Sequence, residues 1–208
     1  MSLFCSFITE FLEARYYRVN IVFDPDTAHP TLEVSEHGKC VKDTGKVSHV
    51  SKSEKRFDSH RYILAKDGFS KGKHYWEVEV GQKKNWILGV ARETICRTGV
   101  ITLSPENGCW VIKHEDGKEY RVCESRLTVK GNEKPTKIGI FLNISDNHLQ
   151  FYDVNRRIKL HGLNEKFSGK LYPFFSTGLK KDDIPLRICP WFEEDSGERM
   201  QGSLDVAN

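Results

Sequence analysis

The sequence predicts an all-β fold, two antiparallel sheets packed as a sandwich with a short helix at the N-terminus. Three observations carry this. Short segments alternating apolar and polar residues recur along the chain, bounded by Gly, Pro, Asp and Asn turns, as in strands with one buried face. Pro and Gly are spread throughout, not gathered in a linker. The stretch Gly72–Arg92, GKHYWEVEVGQKKNWILGVAR, sets an amphipathic strand beside one apolar on both sides. In the first, Trp76, Val78 and Val80 alternate with Tyr75, Glu77 and Glu79. In the second, Trp86–Ala91, both faces are apolar, so this strand belongs between two layers. Gly81–Asn85, short and polar, reads as a hairpin loop joining them.

The remaining elements follow in order. In residues 1–17, Phe4, Ile8, Phe11 and Leu12 recur at helical spacing, with Glu10, Glu13 and Arg15 opposite. Ser2 or Ser6 supplies a cap. The stripe predicts a helix docked on the sandwich, in preference to the end of a coiled coil. Val19–Phe23 is a first strand, closed by Asp24-Pro25, where Pro fixes φ and Asp bonds the backbone beyond it. Thr31–Ser35 is a second strand and Glu36–Lys39 a turn around Gly38. Val41–Lys55, polar and without periodicity, reads as a long surface loop. Arg61–Ala65 is a strand and Asp67-Gly68 a turn. Glu93–Gly99 is a connection, Gly108–His114 a strand, Asp116-Gly117 a tight turn and Tyr120–Cys123 its return. Pro135 breaks a Lys-rich loop. Ile138–Leu142 and Leu149–Val154 form a hairpin around Ser145-Asp146-Asn147. Leu171–Ser176 and Leu186–Cys189 close the fold. Residues 193–208 read as a flexible tail, acidic and then small and polar.

Lys and Arg number 32 against 29 Asp and Glu, a formal net charge of +3. This slight excess does not point to nucleic acid, whose binders carry a clustered basic face. No apolar run is long enough to span a bilayer, and no signal-peptide pattern opens the chain. The six Cys lie in no CxxC pair. Cys109 and Cys189 fall inside apolar strand patterns, as free thiols do, so reduced thiols and a cytoplasmic setting are expected.

Enzymatic chemistry finds no pattern. The eight His stand in no HExxH and no zinc spacing, so no metal or catalytic residue is assigned. Ser176 lacks the GxSxG context of a nucleophile elbow. No glycine-rich loop with a following helix is present to cradle phosphate. Glu77 and Glu79 share one strand side and read as its polar face, paired across the sheet with Lys or Arg. Asn143-Ile144-Ser145 forms a glycosylation sequon, meaningful only in a secreted protein.

Several motifs resemble, in order, those of the PRY–SPRY domain of tripartite-motif ubiquitin ligases, butyrophilins and pyrin. They are IVFDPDTAHP (21–30), KRFD (55–58), the Gly72–Arg92 stretch, TLSPENGCW (102–110), KIGIFLN (137–143), LQFYDV (149–154), LYPFF (171–175) and PLRICP (185–190). Phe23 replaces the usual Leu before Asp-Pro, and Asn143-Ile144-Ser145 replaces a usual Asp-Tyr-Glu. The resemblance implies a concanavalin-like jelly roll, with a PRY part at 19–57 and a SPRY part at 58–192 behind a helical segment at 1–18. It also implies a non-catalytic module that binds a protein ligand, selecting substrates for a ligase in innate immunity. Any RING, and its zinc, would lie upstream, with no cofactor in this domain. The full-length protein is expected to be a coiled-coil dimer and this fragment monomeric. Positions matching pocket-lining stretches are Asn85, Trp86, Arg92, Arg97, Trp110, Lys113, His114, Asn143, Asp146, Thr177, Gly178 and Lys180. The alternative is a butyrophilin-type sensor of a phosphorylated metabolite, its charge drawn from Arg92, Arg97, Lys113 and His114. Ile87 stands where those sensors tend to place a His.

Overall fold

The computed structural model describes residues 3–50, 53–123, 125–129, 134–178 and 184–190, with side chains from Thr9 onward. Among the described residues, one α-helix, α1 (Leu3–Arg15), precedes thirteen strands. These are β1 (Leu32–Ser35), β2 (Cys40–Asp43), β3 (Tyr62–Leu64), β4 (Lys73–Glu79), β5 (Trp86–Arg92), β6 (Cys109–Glu115) and β7 (Glu119–Val122). There follow β8 (Ser125–Leu127), β9 (Lys137–Asn143), β10 (His148–Asp153), β11 (Ile158–Asn164), β12 (Leu171–Ser176) and β13 (Leu186–Ile188). A seven-stranded sheet runs β1-β2-β13-β4-β9-β10-β11, and a six-stranded sheet runs β3-β12-β5-β6-β7-β8. All strand pairs are antiparallel.

The core between the sheets is set by side-chain parity. Trp76, Val78, Ile138, Ile140, Leu142, Leu149 and Phe151 from one sheet meet Trp86, Leu88, Val90, Trp110, Ile112, Leu171 and Phe175 from the other. The outer face of the six-stranded sheet is buried as well. Ala91, Cys109, Val111, Tyr62 and Phe174 pack there against Phe57, Ile95 and Leu103 from covering segments. This second core is why β5 is apolar on both sides.

Four readings are corrected. β4 and β5 do not form a hairpin. β4 pairs with β9 and β13, and β5 with β6 and β12, so the connection crosses from one sheet to the other. Each strand has apolar residues enough to sit inside its own sheet, and a local turn does not outweigh that. Val19–Phe23 makes only one isolated bridge, Phe23 to Ala65, next to the Arg18–Tyr75 bridge, with Ile21 and Phe23 inserted into the core. The loop assigned from Val41 begins instead with a strand, because Val41 pairs with Val34 and Leu186 on its two sides. The polar face assigned to β4 is half covered: Tyr75 and Glu77 are fully buried beneath α1, and only Glu79 faces out. β8 and β11 lacked a period-two signal; β11 is partly exposed along its length. The tail at 193–208 lies outside the described residues.

α1 docks by Phe11 and Ala14 on Tyr75 and Tyr152, with Phe11 5.5 Å from the Tyr152 ring. Leu12, assigned to the docked stripe, is 50% exposed. A three-residue step from Phe11 to Ala14 defines the buried side instead. Burial pushes the Tyr75 phenol far above its ordinary range, and the adjoining Glu77 carboxylate adds to it. Gly139 is needed here: a Cβ would stand 2.4 Å from the Tyr75 hydroxyl.

Candidate functional site

Turn chemistry brings the first cleft together. After β6, Asp116 and Gly117 both adopt positive φ, 50° and 68°, and return the chain into β7. Asn85, just before β5, accepts the Asp116 amide through Oδ1 at 3.1 Å. Gly178, after β12, lies against Asn85 with φ of 88°; a Cβ there would come within 2.5 Å of the Asn85 Cβ. The far wall is the 101–103 segment. Its Ile101 amide donates to His60 Nε2 at 3.1 Å, and the His60 ring stacks on Tyr62 at 4.9 Å. The result is a cleft of about 230 Å³ on the outer face of the six-stranded sheet. Tyr62, Ile87, Ile101 and Leu103 make it largely apolar, and Asn85, Thr102, Lys113 and Glu115 supply polar groups.

The residues expected to form one site are distributed. Asn85, Trp86, Lys113, His114 and Gly178 border this cleft. Trp86 and His114 do so from beneath, at 1% and 2% exposure. His114 stacks on Tyr120 at 4.1 Å, with Nδ1 3.1 Å from the Glu119 carbonyl. Burial lowers its pKa below the ordinary value, partly opposed by that carbonyl. Arg92 lies over the Trp110 ring at 5.2 Å, and Trp110 is core, edge-on to Phe167. Arg97 stands in a separate cleft of about 400 Å³ with Asp24, Glu54, Lys66 and Glu93. Its guanidinium lies 4.6 Å from the Phe57 ring, and desolvation lowers its pKa. Asn143 and Asp146 line a third groove, on the seven-stranded sheet. They cap their own turn: Asn143 Nδ2 donates to Asp146 Oδ2 at 2.7 Å, and Asp146 N donates to Asn143 Oδ1 at 3.1 Å. Thr177 is buried beside Gly178. Lys180 lies outside the described residues. The four cations of the sensor reading therefore do not converge on one cleft.

Sequence reasoning missed His60, Tyr62, Ile101 and Leu103. The stretch from Ile101 into the TLSPENGCW motif held a usable signal, since apolar Ile101 and Leu103 precede a Pro turn and need a surface to cover. Among the described residues, no group of three or more His, Cys, Asp or Glu is placed to hold a metal. Five cysteines, Cys40, Cys96, Cys109, Cys123 and Cys189, are free thiols. No described helix is long and apolar enough to cross a membrane.

Comparison with known proteins bears on this architecture. A family model described as the SPRY domain matches residues 73–186, and one described as the SPRY-associated domain, PRY, matches residues 21–69. The chain is 40% identical over 180 residues to the erythroid membrane-associated protein of Homo sapiens, covering 85% of this chain and 38% of that protein. It is 38% identical over 195 residues to the E3 ubiquitin-protein ligase TRIM58 of Mus musculus, covering 93% and 40%. Against pyrin of Homo sapiens it is 38% identical over 190 residues, covering 88% and 24%. The chain thus spans well under half the length of these relatives. The solved TRIM65 PSpry domain superimposes with a TM-score of 0.72 at 20% identity, over 86% of this chain and 93% of that one.

Proposed function

Because the chain belongs to the PRY–SPRY family, a family of protein-interaction modules, we propose that it recognises a target protein through the cleft between the 101–103 segment and the outer face of β5 and β6. The observation that carries this reading is the cleft itself. It combines an apolar floor with a few polar groups, and one of these, Asn85, is already fixed by the Asp116 amide before any ligand arrives. An apolar side chain of the target enters between Ile87, Ile101 and Tyr62. Lys113, Glu115 and Asn85 at the rim then set orientation through hydrogen bonds. In a longer protein of the tripartite-motif type this would select the substrate for ubiquitination, with the ligase chemistry in another domain, and a role in innate immunity is the corresponding setting. The free thiols fit a reducing cytoplasm.

The test begins with affinity purification and mass spectrometry to obtain a partner, followed by direct titration with two variants. Thr102→Arg fills the cleft mouth and Ile101→Ser removes apolar wall. Each should weaken binding about tenfold or more with little change in melting temperature. A partner bound normally by both variants but lost on Asp146→Asn would move recognition to the opposite sheet.

A further inference from the structure

The third groove, about 450 Å³, runs between the end of α1 and the β9–β10 hairpin. It lies on the outer face of the seven-stranded sheet, away from the cleft described above. Its floor is aromatic: Tyr17 stands 6.0 Å from Phe141 at a 42° tilt. At its mouth Tyr16 is 86% exposed and meets Tyr17 edge-on, with ring centroids 5.5 Å apart. Its rim carries Glu10, Glu13 and Asp146. Glu10 is engaged with Gln150 at 2.8 Å and Lys159 at 2.7 Å. Glu13 pairs with no cation among the described residues, and Asp146 is bonded only within its own turn. The chain's own Lys73 ammonium stands 5.3 Å from the Tyr17 ring. The aromatic shelf therefore already holds one cation, and carboxylates remain for another.

We propose that this groove is a second docking surface that takes an arginine or lysine side chain from a partner protein. A guanidinium laid on the exposed Tyr16 ring gains from its face, beside Tyr17, while its N–H groups reach toward Glu13 and Asp146. The occupant follows from charge. The chain as a whole is cationic, at a formal +3, so a basic segment has reason to settle only where carboxylates gather. Phosphate-bearing surfaces are disfavoured at the same rim. The two binding surfaces lie on opposite faces of the sandwich, so occupation of one leaves the other open.

The test titrates the labelled domain with an acetylated, amidated tetra-arginine peptide and follows amide shifts by NMR. Saturable shifts are expected at Tyr16, Tyr17, Phe141 and Asp146, with none at Ile87 or Ile101. The tetra-citrulline peptide, equal in shape but uncharged, should leave the spectrum unmoved. Glu13→Gln combined with Asp146→Asn, and separately Tyr16→Ala, should each weaken binding about fivefold while melting stays unchanged. The inference is overturned if the shifts centre on Glu115 and Glu119, if the variants bind as well as the parent chain, or if tetra-citrulline or anionic lipid vesicles shift the same amides. Shifts that report self-association of the domain would overturn it too.

Discussion

Glu77 holds α1 to the sandwich, and neutralising it should release a measurable part of the stability. The carboxylate is fully buried and receives the Tyr75 hydroxyl at 2.8 Å, Arg18 Nη2 at 3.1 Å and Arg15 Nε at 3.2 Å. The Arg18 side chain is 8% exposed and that of Arg15 29%. Arg18 also donates to the Pro190 carbonyl at 3.0 Å, so one guanidinium ties the segment after α1 to the segment after β13. Glu77→Gln keeps the shape and removes the charge, leaving Arg18 desolvated without its counter-ion. Breaking such a buried pair costs about 3–5 kcal/mol. Arg18→Met should approach that figure, whereas the better solvated Arg15→Met should cost about 1 kcal/mol or less. Replacing all three together, Glu77→Leu with Arg15→Met and Arg18→Met, removes every charge at once and should recover much of the loss. Urea unfolding read by circular dichroism measures each as a midpoint shift at constant slope. Hydrogen exchange along α1 should rise in Glu77→Gln. The reasoning fails if Glu77→Gln lies within about 1 kcal/mol of the parent, or if the two arginine variants cost the same.

Two further outcomes follow from the core. Trp76→Ala should destabilise by about 3–5 kcal/mol, the usual loss on emptying a large aromatic site; it is 1% exposed between the sheets, and an unchanged melting temperature would contradict that placement. His114 is held neutral by burial, its pKa below the ordinary 6.5. Above that value neither folded nor unfolded chain binds the proton. As pH falls below it, only the unfolded chain does, so stability should decline toward the folded pKa. His114→Gln should flatten that part of the pH–stability curve, and a slope equal to the parent's would rule the assignment out.

Much of the fold was legible because Gly, Pro, Asp and Asn turns bound the apolar runs, even where both faces of a strand are buried, as in β6 and β12. β6, β9, β10 and β12 stand where alternation and turn residues put them. What failed shares a physical cause. β2 has four residues and β8 three, too short to show a period. Ile21 and Phe23 are buried without a ladder, so they look like a strand and are not one. The polar face of β4 looked solvated because Glu77 is charged. Its partners Arg15 and Arg18 come from a helix end that local pattern does not pair with a strand about sixty residues on.

The expected binding residues lie on three surfaces. Their grouping comes from resemblance to pocket-lining stretches, which gives positions along the chain and not the sheet on which each loop opens. Because β4 and β5 belong to different sheets, the loop after β9, with Asn143 and Asp146, opens on the seven-stranded face. The ends of β5 and β6, with Asn85 and Lys113, open on the six-stranded face. Arg97 follows β5 from its other end and lands beside the 24–27 turn. An apolar cleft and an aromatic groove with carboxylates at its rim thus lie on different sheets. Such a pair rewards a ligand that reaches around the domain: linking two weak contacts raises the effective concentration of the second, provided the linker spans the gap.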